Sequence, residues 1–183
     1  MQHIKEFIAM PVIINSDSMN RNTRKTDRIS IRHAERNDYQ SIINLLIAHA
    51  KFHAKLLPHY FKAGQSRNAW LKYVSSSDDG KISRIFVAVS RDRIIGILFT
   101  RIEKQSSILS RQKYLGLMPR MYVASGYRNK GVGRMLFREA IKWLKHRHVH
   151  LLMINSVAKN TISNRAWKSY GLKIQSYRLE MRI

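Results

Sequence analysis

The spacing of apolar residues predicts alternating strands and helices from residue 29 onward. An alternating segment at residues 29–33 predicts a strand, and apolar residues then recur at helical spacing over residues 42–50, behind Asp38 as a helix cap. The segment NAWLKYVSSSDDG predicts a second helix that ends at Gly80. Two apolar runs in RIFVAVSRDRIIGILFTRIEK predict a β-hairpin that turns at residues 90–93.

The second half of the chain continues this alternation. The segment YLGLMPRMYVAS predicts a strand that Pro119 interrupts. A glycine-containing turn follows, and then a helix with apolar residues from Val132 to Leu144 on one face. The segment VHLLMINSV predicts a buried strand, TISNRAWKSY a short helix that ends at Gly171, and KIQSYRLEMRI a closing alternating strand.

The first 28 residues differ from the rest because their apolar run contains Pro11 and gives way to a polar, basic stretch without a regular period. We expect an N-terminal extension at residues 1–28 and a single domain at residues 29–183, since a chain of 183 residues with 44% apolar content suits one domain. Glu6 and Pro11 break the apolar core that a secretion signal requires, and no run approaches the ~20 apolar residues of a membrane span. We therefore expect a cytoplasmic protein without membrane contact.

The charge of the chain indicates which partners it attracts. Lys and Arg number 34 against 11 Asp and Glu, which gives a formal net charge of +23. Such a molecule attracts polyanions, including nucleic acids, and repels polycations. A basic surface without a polyanionic partner remains an open alternative. The chain contains no cysteine, which excludes disulfides, thiolate-ligated zinc and a cysteine nucleophile, and we expect no metal.

The turn in YRNKGVGRML carries the strongest chemical signal. Glycines at a helix start leave backbone N–H groups exposed at the positive end of the helix dipole, which suits an anion such as a phosphate. By itself the pair Gly131 and Gly133 could equally relieve crowding at the helix start. The preceding strand and the following helix favour the phosphate site. A P-loop is excluded because Val132 and Gly133 stand where its Lys and Ser/Thr belong. A dinucleotide fingerprint is excluded because Leu136 occupies the position of its third glycine.

The pattern Arg-x-x-Gly-x-Gly at Arg128, Gly131 and Gly133 resembles the signature of the GNAT superfamily of acyl-CoA-dependent N-acetyltransferases. The later segment NTISNRAWKSYGL is similar to a second signature of that family, with Asn160 and Trp167 at its characteristic spacing. Together the two segments extend the resemblance from about residue 29 to the C-terminus. It implies a mixed α/β (α+β) fold with a mostly antiparallel, centrally splayed sheet flanked by helices, and transfer of the acetyl group of acetyl-CoA to an amine.

The resemblance also implies a cofactor site. Backbone amides of residues 128–133 would hold the pyrophosphate of acetyl-CoA, and the pantetheine arm would pair with residues 122–124, where the strands around Val123 and Ile154 splay. The Val123 N–H would polarise the thioester carbonyl. Asn160 would contact the cofactor arm, or alternatively cap the helix that follows it. The implied cofactor-binding residues are Tyr122, Val123, Ala124, Arg128, Asn129, Lys130, Gly131, Val132, Gly133, Arg134, Asn160 and Trp167.

The sequence leaves the acid and the base open. The strand LMPRMYVAS has no carboxylate, so Glu103 on the preceding strand is the candidate base, although a solvated strand-end charge explains it as well. Trp167 stands where many family members have Tyr, and an indole is no practical proton donor. Tyr170 is the substitute acid, unless the thiolate leaves unprotonated, which we favour because a thiol pKa is ~8.5. The candidate catalytic residues are Val123, Glu103 and Tyr170.

The histidines are not predicted to act in catalysis or to bind metal. His49 and His53 lie one helical turn apart, but Ala50 replaces the Glu of a zinc-hydrolase motif, so we expect surface or half-buried side chains. The histidines in KWLKHRHVH are predicted to be cations at a helix C-terminus.

Three functions fit the sequence. The first, which we expect, is an N-acetyltransferase with acetyl-CoA as acyl donor, an unidentified amine acceptor and a monomeric or homodimeric state. The second is an acetyltransferase for an amine carried by RNA or by an RNA-bound protein. The third is a basic RNA- or ribosome-associated protein of this fold without catalytic activity.

Overall fold

In the computed structural model, which describes residues 28–106 and 109–181, strands and helices alternate largely as the apolar pattern predicts. The predicted extension, apart from Arg28, lies outside the described residues. The strands are β1 (Ser30–His33), β2 (Ser83–Ser90), β3 (Arg93–Lys104), β4 (Tyr114–Val123) and β5 (Leu152–Met153). The helices are α1 (Tyr39–Leu56), α2 (Arg67–Ser76), α3 (Val132–His146) and α4 (Thr161–Ser169).

The five strands form one open sheet in the order β1-β2-β3-β4-β5. All neighbouring pairs are antiparallel except β4 and β5, which are parallel. The predicted hairpin is confirmed: β2 and β3 are joined through Arg91 and Asp92, whose φ angles of 47° and 59° are those of a tight two-residue turn. The predicted mixed α/β fold with a mostly antiparallel sheet is therefore confirmed.

Helices cover both faces of the sheet. Along β2, Ile85 and Val87 pack in one apolar cluster with α1 and α2, whereas Phe86 and Ala88 pack in a second cluster with α3. Successive strand residues point to opposite faces, so the two clusters lie on opposite sides of the sheet. We call these sides the α1 face and the α3 face. None of the helices in the described ranges is long and apolar enough to cross a membrane.

The first helix begins differently from the prediction. Asp38 directly precedes α1, but its carboxylate makes no capping bond to that helix. It accepts a hydrogen bond from the Glu35 N–H at 2.7 Å and pairs with Arg32 of β1, whose Nη1 lies 2.5 Å away. The charge-assisted pair with Arg32 is stronger than a neutral cap, and it fixes the start of α1 to β1. The second helix ends at Ser76, four residues before Gly80.

Pro119 does not interrupt β4. The strand runs through it, and the register with β3 shifts by one residue between the pairs Phe99–Arg120 and Arg101–Leu117. A bulge of this kind accommodates a residue without an N–H donor while the strand continues on either side.

The predictions for the last two strands are wrong in part. The segment VHLLMINSV forms a ladder only at Leu152–Met153, and Leu151 and Met153 are exposed because no further strand in the described residues pairs with β5. Residues 172–181 form no strand, and Leu179 is 92% exposed. An alternating pattern becomes a strand only where a neighbouring backbone completes its hydrogen bonds, and the described chain offers this segment none.

The contact between α3 and β4 predicts a specific packing defect. A Cβ built at Gly116 would lie 2.7 Å from a methyl carbon of Leu144, so Gly116→Ala forces the core of the α3 face to shift. We expect a loss of about 1–3 kcal/mol in unfolding free energy, which lowers Tm by roughly 3–10 °C in a thermal melt. Gly64→Ala, where no atom lies within 4 Å, is the control. Equal melting of the two variants would contradict this packing.

Candidate active site

The open edge of β4 is the first feature of the site. β5 pairs with β4 only at Gly116 and Leu117, and β4 then continues to Val123 with β3 as its partner. Ala124 donates its N–H to the Ile95 carbonyl at 2.8 Å, so the alternation of an antiparallel ladder turns the Val123 N–H away from β3. This edge can hydrogen-bond an extended polar ligand as a strand would.

The turn after β4 supplies the second feature. Asn129 and Gly131 have φ angles of 60° and 79°, and these two left-handed residues reverse the chain into α3. The helix starts behind Gly131 without a side-chain cap, and its first i to i−4 bond runs from the Met135 N–H to the Gly131 carbonyl. The N–H groups of the first turn therefore have no partner within the helix and suit an anion.

The basic side chains of the turn have separate positions. Arg128 donates from Nε to the Val123 carbonyl at 3.0 Å, and its guanidinium lies 5.2 Å from the Tyr122 ring centroid, on the α1 face. Arg134 donates to the Ser169 carbonyl at 3.1 Å and ties α3 to α4. Lys130 is exposed beside the turn. An anion at the turn would meet the Lys130 charge directly, whereas Arg128 and Arg134 also hold the local structure together.

Tyr170 lies against the same turn. A Cβ at Gly133 would be 2.9 Å from the Tyr170 hydroxyl, so this hydroxyl is next to the first turn of α3. Burial raises the pKa of Tyr170, while the nearby Arg134 charge partly opposes that shift. The hydroxyl therefore remains a hydrogen-bond donor at neutral pH.

Two residues of the second signature have structural contacts. The buried Asn160 accepts a hydrogen bond from the Ser163 N–H at 3.2 Å, which is the capping role left open by the sequence. The Trp167 ring packs 6.1 Å from the Phe137 ring and 5.7 Å from the Tyr170 ring. These contacts hold α4 against α3, beside the turn.

The predicted base does not lie near Val123. Glu103 pairs with Leu115 in the sheet, eight residues before Val123, a separation of roughly 26 Å along an extended strand. Its carboxylate forms an ion pair with Arg101 and lines a cleft of about 410 Å³ between α2 and the sheet. The structure thus separates Glu103 from the strand end where the sequence places the thioester.

A pair of histidines lies nearer to that strand end. The His49 ring is 5.9 Å from the Tyr122 ring and 4.4 Å from the His53 ring. Both side chains are half-buried, as predicted, and His53 Nδ1 is buried without a hydrogen-bond partner. No group of three His, Asp or Glu side chains within the described ranges could hold a metal ion.

Burial and nearby positive charge control the protonation of this pair. Burial is the main cause that lowers the pKa of His49 to about 3, and electrostatic repulsion from His53 and Arg120 adds to it. Burial and Arg120 also lower the pKa of His53. Both imidazoles are therefore neutral at neutral pH. The sequence analysis considered His53 only as a surface or half-buried side chain and did not single out Arg120, although Arg120 is two residues from Tyr122 and so shares its face of the strand.

Comparison with known proteins identifies the family and the fold of the chain. A model described as the Acetyltransferase (GNAT) family matches residues 47–172. No curated protein matches the sequence. A mutant of the BH1408 protein from Bacillus halodurans is structurally similar, with a TM-score of 0.74, 19% identity, and coverage of 84% of this chain and 99% of that chain.

Two further similar structures contain a coenzyme. The aminoglycoside N-acetyltransferase AAC(6')-Iy in complex with CoA has a TM-score of 0.71 and 16% identity, and the match covers 88% of this chain and 98% of that chain. A predicted acetyltransferase with acetyl-CoA from Clostridium acetobutylicum has a TM-score of 0.68 and 13% identity, with coverage of 85% and 96%. At these identities the likeness shows a shared fold.

The lowered pKa of His49 predicts a pH-dependent stability. Below pH 6.5 the unfolded chain gains a proton at His49, while the folded chain does not until about pH 3, so stability falls as pH decreases through this window. We expect the difference in unfolding free energy between the parent and His49→Gln to become about 2 kcal/mol less favourable to the parent when the pH is lowered from 7 to 5. Chemical denaturation of both proteins at the two pH values measures this change. The exposed His59, changed to Gln, controls for the loss of one histidine. An unchanged advantage would refute the buried, neutral state of His49.

Proposed function

Because the chain belongs to the GNAT acetyltransferase family, we propose that it transfers the acetyl group of acetyl-CoA to a primary amine. The observation that carries this proposal is the continuity of two binding features. The edge of β4 at Val123, which β5 does not pair, leads directly into the turn before α3, where the first N–H groups of the helix have no partner within it. An extended thioester with a pyrophosphate at one end requires this combination.

In the proposed complex the pyrophosphate binds the first turn of α3, with Lys130 beside it. The pantetheine arm lies along β4, and the Val123 N–H polarises the thioester carbonyl, which favours the oxyanion that forms on attack. Tyr170 donates a hydrogen bond near the turn, since its hydroxyl adjoins Gly133. Structures of similar proteins with CoA or acetyl-CoA bound support this choice of cofactor.

The acceptor approaches on the α1 face. The amine nitrogen attacks the carbonyl carbon, a C–N bond forms, the C–S bond breaks, and sulfur leaves as a thiolate, which a thiol pKa of ~8.5 makes tolerable. The amine proton passes to a base. His53 is better suited than Glu103, because it is connected to Tyr122 through His49 and is neutral, whereas Glu103 is paired with Arg101.

A second candidate function rests on charge. The exposed positions along α3 include the basic residues Arg134, Arg138, Lys142 and Lys145. Among the residues that the structure describes, Lys142 alone of these four pairs with an acidic neighbour, Glu139 at 2.7 Å. Basic residues at i, i+4, i+8 and i+11 share one helical face. Such a face supports contact with a polyanion such as RNA, with or without acetyl transfer.

The cofactor site is tested by thermal stability with acetyl-CoA. At a hundredfold excess over Kd, binding contributes ~2.7 kcal/mol and should raise Tm by roughly 5–10 °C. Gly133→Glu alone would displace the Tyr170 hydroxyl, so the test uses Tyr170→Phe, which should retain the shift, and Tyr170→Phe with Gly133→Glu, which should lose it. A parent protein without any shift would overturn the proposal and leave the non-catalytic, polyanion-binding candidate.

The base is tested by steady-state kinetics with any amine that the parent acetylates. His53→Gln should lower kcat by about 10²-fold near neutral pH, and the loss should shrink as pH rises, because the amine then arrives without its proton. Glu103→Gln is the matched carboxylate variant and should change kcat by less than about threefold. The reverse pattern would assign the base to Glu103.

A further inference from the structure

Three elements that border the proposed thioester position on the α1 face carry no acidic side chain, and Glu103 of β3 lies opposite Leu115, near the other end of β4. Neither α1, α2 nor β4 contains an Asp or a Glu. The turn at residues 124–131 contains none either. An amine acceptor on this face therefore meets imidazole, aromatic and guanidinium groups.

Arg120 is the cation best placed to bind such an acceptor. It is half-buried on β4, and its guanidinium carbon lies 4.7 Å from the Tyr73 ring centroid. No carboxylate within the described part of the chain forms an ion pair with it. A guanidinium stacked on a ring keeps its in-plane N–H donors available for a second partner.

Strand geometry places Arg120 beside the histidines. It lies two residues before Tyr122 on β4 and so on the same face, and the His49 ring is 5.9 Å from the Tyr122 ring and 4.4 Å from the His53 ring. The Arg120 charge also contributes to the lowered pKa of both histidines. The other groups around His53 are the Phe52 and Phe61 rings, at 5.7 Å and 5.1 Å. The Arg128 guanidinium lies 6.0 Å from the Phe52 ring. Arg120 and Arg128 are thus the cations on this part of the α1 face, and neither forms an ion pair with a carboxylate among the described residues.

The nearest carboxylates are already engaged. Glu103 and Asp79 line the cleft that Tyr73 also borders. Glu103 pairs with Arg101, and Asp79 accepts hydrogen bonds from three backbone N–H groups, those of residues 81, 82 and 83. Neither is free to balance the charge of a polycationic acceptor.

We propose that the acceptor is an amine that carries an anionic group, a carboxylate or a phosphate, and that Arg120 binds this group while the amine faces His53. The inference rests on the proposed acetyl transfer. An acceptor with only amines, such as an aminoglycoside, would meet two unbalanced cations. An anionic group offsets the Arg120 charge and forms charge-assisted hydrogen bonds with its guanidinium. Arg120 is thus a specificity-determining residue.

The test compares acceptors that differ only in the anionic group. The phosphate pair is 2-aminoethyl phosphate and ethanolamine, the carboxylate pair is β-alanine and its amide, and kanamycin is the polycation. Initial rates are measured at saturating acetyl-CoA. Each acceptor concentration is given as that of its unprotonated amine, so that differences in amine pKa do not affect the comparison. We expect kcat/KM to be at least tenfold higher for the anionic member of one or both pairs than for its neutral counterpart and for kanamycin, and the two pairs distinguish phosphate from carboxylate.

Substitution of Arg120 should remove this preference. Arg120→Gln should raise KM for the preferred anionic acceptor by about 10- to 100-fold, with kcat and the KM for acetyl-CoA nearly unchanged. Ethanolamine and the amide should change by less than about threefold. Arg120→Lys should restore part of the preference because it retains the charge. Arg111→Gln, an exposed arginine in the loop between β3 and β4, is the matched control.

Several results would overturn the inference. Equal or faster acetylation of kanamycin, absence of turnover with both anionic probes, or the same loss for anionic and neutral acceptors in Arg120→Gln would each do so. A thermal shift of the parent protein with acetyl-CoA distinguishes a wrong acceptor class from a wrong proposed function. If the cofactor stabilises the protein and kanamycin is preferred, acetyl transfer stands and only the anionic acceptor is wrong.

Discussion

The divergence of β5 from β4 after two paired residues is the constraint on which the rest of the site depends. An interior strand normally has both of its edges satisfied by neighbouring strands. Here β4 retains β3 along its full length but loses β5 beyond Leu117, so the backbone around Val123 is open on one side. Since the turn and α3 follow directly after this strand, the open edge and the uncapped helix start form one continuous surface, and the proposed acetyl-CoA site lies on it.

The two faces of the sheet contribute different chemistry to that surface. On the α3 face, Phe137, Trp167 and Tyr170 pack together and hold α4 beside the first turn of α3. This aromatic contact places the Tyr170 hydroxyl next to Gly133. On the α1 face, half-buried imidazoles and arginines replace the apolar packing near the end of β4, where the core gives way to solvent. The proposed cofactor contacts and the proposed acceptor contacts therefore involve different layers of helices.

Two carboxylates of this basic chain have structural roles. Asp38 fixes β1 to the start of α1 through Arg32, and Asp79 organises the loop before β2 by accepting backbone N–H groups. Burial and the Arg120 charge lower the pKa of His53 on the α1 face, so its imidazole is unprotonated at neutral pH.

The sequence by itself determined the fold class, most element positions, and the location of the glycine turn that starts α3, because apolar period, turn chemistry and glycine placement act over a few neighbouring residues. Only the tertiary structure decided that the predicted closing strand lacks a partner, that Glu103 lies far from Val123, and that His53 and Arg120 come together. Strand pairing, burial and charge proximity each depend on segments distant in sequence, and no local pattern records which of those segments meet.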